Sequence, residues 1–358
     1  MSRVCLGDIA VEHKETCKGN KEGYPVVGLE HLTPGEITLT EWDESGDNTF
    51  TKVFRKGNVL FGRRRAYLKK AAVAPFDGVC SGDITVIEAR QDKVLPELLP
   101  FIIQNDALFA FAVEKSAGSL SPRVKWEHLK NFEFELPEMS KQRTLAEVLW
   151  SIDATKKAYQ KLIKQTDELV KSQFMEMIYG ATKHIKLTDC ADVLYGYPFN
   201  SKLFNSVGEG IPLIRIRDIN SGFSNTYTTE VVDEKYIVMS DDCVIGMDGN
   251  FEIIKWKNGK SYLNQRVCKI TPRTVGKEYL MYLLKGVLKT IEENAQSTTV
   301  KHLSAKDIES IRVPIINEAS QTLFEKLSLQ TDKSKFELEQ ALAELTATYK
   351  RIISENLG

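Results

Sequence analysis

The chain has 358 residues, 42% hydrophobic and 27% charged, so it holds apolar material for real cores, and its length favours two domains over one. It lacks a run of roughly 18 apolar residues and a charged-then-apolar start, so neither a membrane span nor a secretory leader is expected, and the cytoplasm is the expected location. Six scattered cysteines without a CxxC pair speak against zinc and disulfide frameworks, and a formal net charge of -1 leaves any nucleic-acid surface to local patches.

Along the chain, Leu6-Gly7-Asp8-Ile9-Ala10 and Gly23-Tyr24-Pro25-Val26-Val27 come first. β-Branched and aromatic runs between turn residues, such as Ile84-Thr85-Val86-Ile87, predict strands and hairpins. Asn58-Val59-Leu60-Phe61-Gly62 predicts a short apolar strand ending in a glycine turn. From Lys52 to Lys70 the chain carries Lys52, Arg55, Lys56, Arg63, Arg64, Arg65, Lys69 and Lys70 without an Asp or Glu, interleaved with Phe54, Phe61 and Tyr67. Such a strip suits phosphate neutralisation, although a charge run taken alone is more often a solvated face. The loop through Ser116, Gly118, Ser119, Ser121, Arg123 and Lys125 sets small hydroxyl residues before cations, which suits phosphate approach as well as it suits an exposed turn.

After Leu136-Pro137 the period changes. Leu145, Val148, Leu149, Ile152, Tyr159, Leu162, Ile163, Leu169, Val170, Phe174, Met177 and Ile178 recur at helical intervals, predicting a helix from about Arg143 to Tyr179, with Gly180 as its stop. At ~1.5 Å per residue it is roughly 55 Å long, comparable with ~16 base pairs of duplex.

The second half opens on Leu187-Thr188-Asp189-Cys190-Ala191 and Gly210-Ile211-Pro212-Leu213-Ile214. Arg215, Arg217 and Asn220 either line a binding face or, alternating with Ile214 and Ile216, belong to a half-buried strand. Asp242-Cys243-Val244-Ile245-Gly246 answers the earlier glycine-ended strand, and Ile253, Ile254 and Trp256 before Asn258-Gly259 predict a hairpin. A second acid-free run carries Lys255, Lys257, Lys260, Arg266, Lys269, Arg273 and Lys277, with amides at Asn264 and Gln265 that suit base edges. Ser297-Thr298-Thr299-Val300-Lys301 answers the earlier serine loop. Val313-Pro314 precedes another apolar stripe, with Leu323, Phe324, Leu327, Phe336, Leu338, Leu342, Leu345, Tyr349, Ile352 and Ile353.

These segments recur in one order at steady offsets, from 177 residues (Leu136 to Val313) to 187 (Gly23 to Gly210), which marks a duplication. Each stripe is close to a heptad, interrupted at Thr166 and Thr331, so the two helices suit pairing with each other, although ordinary bundle packing fits isolated stripes as well.

Chemistry is not signalled. None of the eleven prolines adjoins another, which removes the Asp/Asn-Pro-Pro-Tyr/Phe loop of adenine methyltransferases. Ile254 stands where a P-loop ending in Gly259-Lys260-Ser261 needs glycine, and neither HExxH nor GxSxG is present.

The chain resembles the specificity subunits of type I restriction-modification systems along essentially its whole length. The resemblance is carried by Leu6-Gly7-Asp8-Ile9-Ala10, by Val59-Leu60-Phe61-Gly62-Arg63-Arg64-Arg65-Ala66-Tyr67, by the Ser116 to Lys125 loop and by Leu136-Pro137 with Gln142-Arg143. In the second half it is carried by Val244-Ile245-Gly246-Met247-Asp248-Gly249 and Leu263-Asn264-Gln265-Arg266-Val267. It implies an α+β fold of two pseudo-repeated mixed α/β target-recognition domains, each followed by a long α-helix, the two helices pairing as an antiparallel coiled coil.

The expected domains are 1–137 and 181–314, with helices over 138–180 and 315–358. The implied role is reading a split DNA sequence, without catalysis or a cofactor of its own, for methyltransferase subunits and restriction (endonuclease/translocase) subunits. The DNA-binding candidates are Arg63, Arg64, Arg65, Lys69, Lys70, Arg123 and Lys125 in the first copy, and Arg215, Arg217, Lys255, Lys257, Lys260, Arg266 and Lys301 in the second. Two other readings stand beside this one: a helical-hairpin scaffold that binds proteins, and a self-sufficient DNA-modifying enzyme.

Overall fold

Residues 2–17, 23–44, 49–294 and 301–358 are described by the computed structural model. They fall into one unit of Met1–Leu162 with Leu338–Gly358 and another of Ile163–Glu337. Of the serine-rich loop in the second copy, residues 297–300 lie outside the described residues.

The first unit begins with β1 (Ser2–Cys5), α1 (Leu6–Ile9), β2 (Ala10–Glu12) and β3 (Val26–Val27), followed by β4 (Lys52–Phe54), β5 (Val59–Gly62), β6 (Ala71–Val73), β7 (Gly78–Cys80) and β8 (Ile84–Ala89). Next come α2 (Leu99–Ile103), α3 (Asp106–Glu114), α4 (Trp126–Leu129), β9 (Glu133–Leu136) and the long α5 (Met139–Tyr179), which starts about one turn earlier than its apolar stripe predicts and whose residues from Ile163 onward belong to the second unit. An antiparallel sheet in the order β2-β8-β5-β6 forms the frame. A smaller sheet, β3-β7-β4, pairs β3 parallel to β7. All four residues of β5 are buried, as are Ile84 to Ile87 of β8, so these strands read as continuous apolar runs because both faces are covered. One face packs Phe61 against Phe109 at 5.5 Å, and the other packs Leu60 and Val86 with Phe54 and Leu32.

The second unit repeats this plan with β10 (His184–Lys186), α6 (Leu187–Cys190), β11 (Ala191–Tyr195), β12 (Phe204–Asn205), β13 (Ile211–Ile214), β14 (Tyr227–Thr228), β15 (Ile237–Val238) and β16 (Cys243–Gly246). It continues with β17 (Ile253–Lys255), β18 (Ser261–Leu263), β19 (Val267–Pro272), α7 (Lys277–Asn294), α8 (Ala305–Ser310), β20 (Arg312–Pro314) and α9 (Glu318–Leu357), whose residues from Leu338 onward belong to the first unit. Its frame, β11-β19-β16-β17, has the order and antiparallel pairing of the first. β13 runs parallel to β18, which pairs with β15, while β12 and β14 extend that sheet.

Small devices recur with the topology. The Asp8 carboxylate accepts from the Cys5 amide at 2.8 Å to cap α1, and Asp189 accepts from the Lys186 amide at 3.2 Å to cap α6. Near each long helix a glutamine ties two segments. Gln142 accepts from Leu95 N and donates to Pro137 O, both at 2.9 Å. Gln321 accepts from Gly276 N at 2.7 Å and donates to Ile316 O at 3.0 Å.

Two local expectations are corrected. Asn258-Gly259 does not close a hairpin, because β17 pairs with β16 whereas β18 belongs to the other sheet. The residues after Ile214 do not continue a strand either: Ile216–Asp218 is a 3-10 turn, capped by Asp218 Oδ2 accepting from Arg215 N at 2.9 Å.

Candidate nucleic-acid interface

In the first copy, three segments far apart in sequence meet beyond the end of β5. Arg63 N donates to Asp83 O at 3.0 Å, Val124 N to Arg63 O at 3.0 Å, and Arg65 N to Pro122 O at 2.8 Å. Arg64 sits opposite Arg123 in an isolated antiparallel bridge, so the arginine run and the serine-rich loop form one junction. Asp83, just before β8, lies between the two guanidinium groups: Arg64 Nη1 approaches Oδ2 at 2.9 Å, and Arg123 Nε donates to Oδ1 at 2.7 Å. The Arg123 hydrogen bond, with the charges of Arg123, Arg64 and Arg63, holds this carboxyl below the usual carboxylate range against the opposing effect of burial.

The second copy builds the same junction from different residues. Met247 N donates to Arg266 O at 3.0 Å, Leu303 N to Met247 O at 2.7 Å, and Gly249 N to Lys301 O at 2.9 Å. Asp248 faces His302 in the equivalent isolated bridge. The charges are permuted: here the carboxylate follows the β16 glycine, with Arg266 Nε at 3.5 Å and His302 Nδ1 at 2.6 Å. Each junction therefore holds one carboxylate between two nitrogen-bearing side chains. The turn that carries Arg215 and Arg217 lies against this site, since a Cβ on Gly246 would stand 2.8 Å from Ile216 Cδ1.

The other candidates divide by what already holds them. Arg65 and Lys125 are exposed; the Arg65 side chain has no partner among the described residues, whereas the Lys125 charge acts on the nearby Glu127 carboxyl. Lys69 Nζ is 2.7 Å from Asp106 Oδ1, and Lys70 Nζ donates to Leu29 O at 2.7 Å, so both serve the fold. In the second copy Arg217, Lys257 and Lys260 are exposed, whereas the Arg215 guanidinium lies 5.8 Å from the Phe204 ring. Lys255 Nζ pairs with the buried Glu278 at 2.5 Å, beside a cleft of about 770 Å³ that α7 and α9 also line, and so is not brought to the junction. Lys301 Nζ donates to Glu292 O at 2.5 Å, although its backbone belongs to the junction.

The strips are acid-free in sequence only. Arg55 pairs with Glu15 and Asp77, Lys269 with Asp242, Arg273 with Asp192, and Lys277 with Asp241. Sequence reasoning missed Asp83, Asp248 and His302. The repeat offset carries Arg64 onto Asp248, but the change of charge hides that correspondence. Among the described residues no group of three or more side chains is placed to hold a metal, and no helix is long and apolar enough to cross a membrane.

The family model described as type I restriction modification DNA specificity domain matches this chain twice, over residues 2–166 and 181–345. The type I restriction enzyme EcoBI specificity subunit of Escherichia coli is 37% identical over 169 residues, which are 46% of this chain and 36% of that protein. The chain thus spans well under two thirds of that relative. In fold it is similar to the type I restriction-modification system S subunit from M. genitalium, with a TM-score of 0.61 at 13% identity, covering 100% of this chain and 96% of that one. A chain from a type I R-M system solved for its complex assembly and conformational transition has a TM-score of 0.56 at 17% identity, covering 99% and 97%. Each family match starts at or just before the first strand of one copy and runs into the long helix that follows, so this chain belongs to the type I restriction modification DNA specificity domain family.

Proposed function

We propose that this chain is the non-catalytic specificity subunit of a cytoplasmic type I restriction-modification complex. The globular parts, 1–137 and 181–314, each read one half of a split target in double-stranded DNA. The observation that carries this reading is the equivalent junction in two matching domains, with cations from separated segments converging on one loop edge. Arg63, Arg64, Arg65, Arg123 and Lys125 form the first contact surface, and Arg215, Arg217, Lys257, Lys260 and Arg266 supply the second, to which Lys301 contributes through its backbone because its ammonium is held by Glu292 O. Arginine forks and lysines there neutralise phosphate and reach base edges. The involvement of Lys69, Lys70 and Lys255 within the fold argues against direct contact by those three.

The helical segments, 138–180 and 315–358, pair as an antiparallel coiled coil that presents surface to methyltransferase and restriction subunits. Contacts within each unit support the direction. In the first, Lys156 Nζ lies 5.0 Å from the Tyr349 ring, and Leu149 shares a core with Ile353. In the second, Phe174 meets Phe324 at 5.2 Å, and Lys335 Nζ meets Asp167 at 2.5 Å. The partners bring the S-adenosylmethionine chemistry, and this chain needs no cofactor.

Mapping methylated adenines genome-wide, with and without the gene, tests the reading. A split motif should be methylated with the gene and lose its methylation without it; an unchanged methylome overturns the proposal. If alanine at Arg63, Arg64 and Arg65 together leaves DNA binding by the assembled complex unaltered, the protein-scaffold reading gains. Methyl transfer or DNA cleavage by the purified chain alone would identify it as an enzyme.

A further inference from the structure

We propose that Arg65 reads a guanine edge in the half-site of the first copy, an inference that rests on the DNA-recognition role proposed above. Among the described residues, three other than glycine adopt positive φ: Arg65 at 53°, Lys69 at 52° and Asp241 at 74°. That conformation crowds a Cβ against the following carbonyl, so it persists where something else requires it. For two of the three the fold supplies a use. Lys69 Nζ is paired with Asp106 at 2.7 Å, and Asp241 Oδ2 with Lys277 Nζ at 2.5 Å. The Arg65 side chain is exposed and has no such partner.

The second copy shows what the fold needs at this position. Three residues after the glycine that ends β16 stands Gly249, with φ 75°, its amide bonded to Lys301 O just as the Arg65 amide is bonded to Pro122 O. Glycine meets the backbone requirement without strain. The fold thus has no need of an arginine at this apex, and the first copy carries one at a conformational cost.

The surroundings prepare the guanidinium for an external partner. Asp83, the carboxylate of the junction, is already engaged by Arg64 and Arg123. The Arg65 backbone is fixed at both ends, its amide on Pro122 O at 2.8 Å and its carbonyl accepting from Leu68 N at 2.9 Å. A phosphate contact needs only a cation on a flexible stem. A rigid, strained origin has value where the direction of a planar fork matters, as in bidentate bonding to guanine O6 and N7.

The test compares the wild-type complex, assembled with its methyltransferase subunits, with R65K and R65G in selection from randomised DNA, alongside the melting temperature of each. R65G should melt at or above the wild-type temperature. Both variants should lose roughly 5- to 100-fold of the preference for guanine at one position of one half-site, the other half-site keeping its profile. A uniform loss across all sequences with a shallower salt dependence makes Arg65 a phosphate contact and overturns the proposal. So does an unchanged profile, or a marked drop in the melting temperature of R65G. If the wild-type complex selects no sequence at all, the DNA-recognition reading fails together with this one; a selected motif untouched by either substitution defeats this inference alone.

Discussion

At the scale of single residues the junction depends on one carboxylate. Asp83 is mostly buried and stands between Arg64 and Arg123, so Asp83→Asn leaves two guanidinium groups without their anion while the backbone bonds remain. Both arginines are about 41% exposed and partly solvated, which limits the expected cost to about 1–2 kcal/mol at neutral pH. The pH dependence has a definite sign. Because the folded-state carboxyl titrates below its unfolded value near ~3.9, its contribution is complete above that pH and disappears as pH falls through the lower folded value. Denaturation of wild type and D83N across pH should therefore show a gap that is constant at neutral pH and closes in acid; a gap that widens in acid would assign the stabilisation elsewhere. This residue also marks a limit of sequence reading. Arg63, Arg64 and Arg65 stand out as a run, but the acid that organises them is supplied by the turn before β8, some twenty residues later. Charge counted along the chain does not report charge in space.

At the scale of elements, the long helices were legible because a 3.6-residue period is a local property, and α5 covers the whole stripe from Leu145 to Ile178. The parallel pairing of β3 with β7 and of β13 with β18 is non-local, and no feature of Val26-Val27 or Ile211–Ile214 announces it. Asn258-Gly259 misled for the complementary reason: the turn residues signal a reversal but not which strands it joins. A helix also contains a test of how tightly its burial is used. In the first unit the Tyr349 hydroxyl is buried without a hydrogen-bond partner among the described residues, and burial, with the nearby Asp153 and Asp106, pushes its ionisation upward. The ring contributes an edge contact with Phe101 at 6.1 Å and a face to the Lys156 ammonium, neither of which involves the oxygen. Tyr349→Phe removes only the unsatisfied group, so the expected change is neutral to about 1 kcal/mol stabilising. Thermal melts of the two proteins check it, and a loss of more than about 1 kcal/mol would mean that the hydroxyl has a partner such as bound water.

At the scale of the whole molecule, duplication followed by divergence predicts functional separability. Among the described residues the two junctions have matching backbone bonds and strand order but no common side-chain partner: Arg266 and His302 flank Asp248, while Arg64 and Arg123 flank Asp83. If each junction reads its own half-site, a substitution in one should alter one half of the methylated motif and leave the other intact. Arg266→Ala is the informative change in the second copy. It withdraws an exposed guanidinium from the loop edge, while Met247 keeps its bond to the residue 266 carbonyl, which alanine retains. The expected result is a loss of roughly 5- to 100-fold in discrimination at one position of the second half-site. Combining R266A with R65K should give losses that add in free energy to within about 0.5 kcal/mol, as expected for sites without shared partners. Methylome sequencing of the single and double variants measures all of this in one design. Were R266A to blur both halves of the motif equally, the junctions would be acting as one surface, and assigning one half-site to each copy would be wrong even with DNA specificity intact.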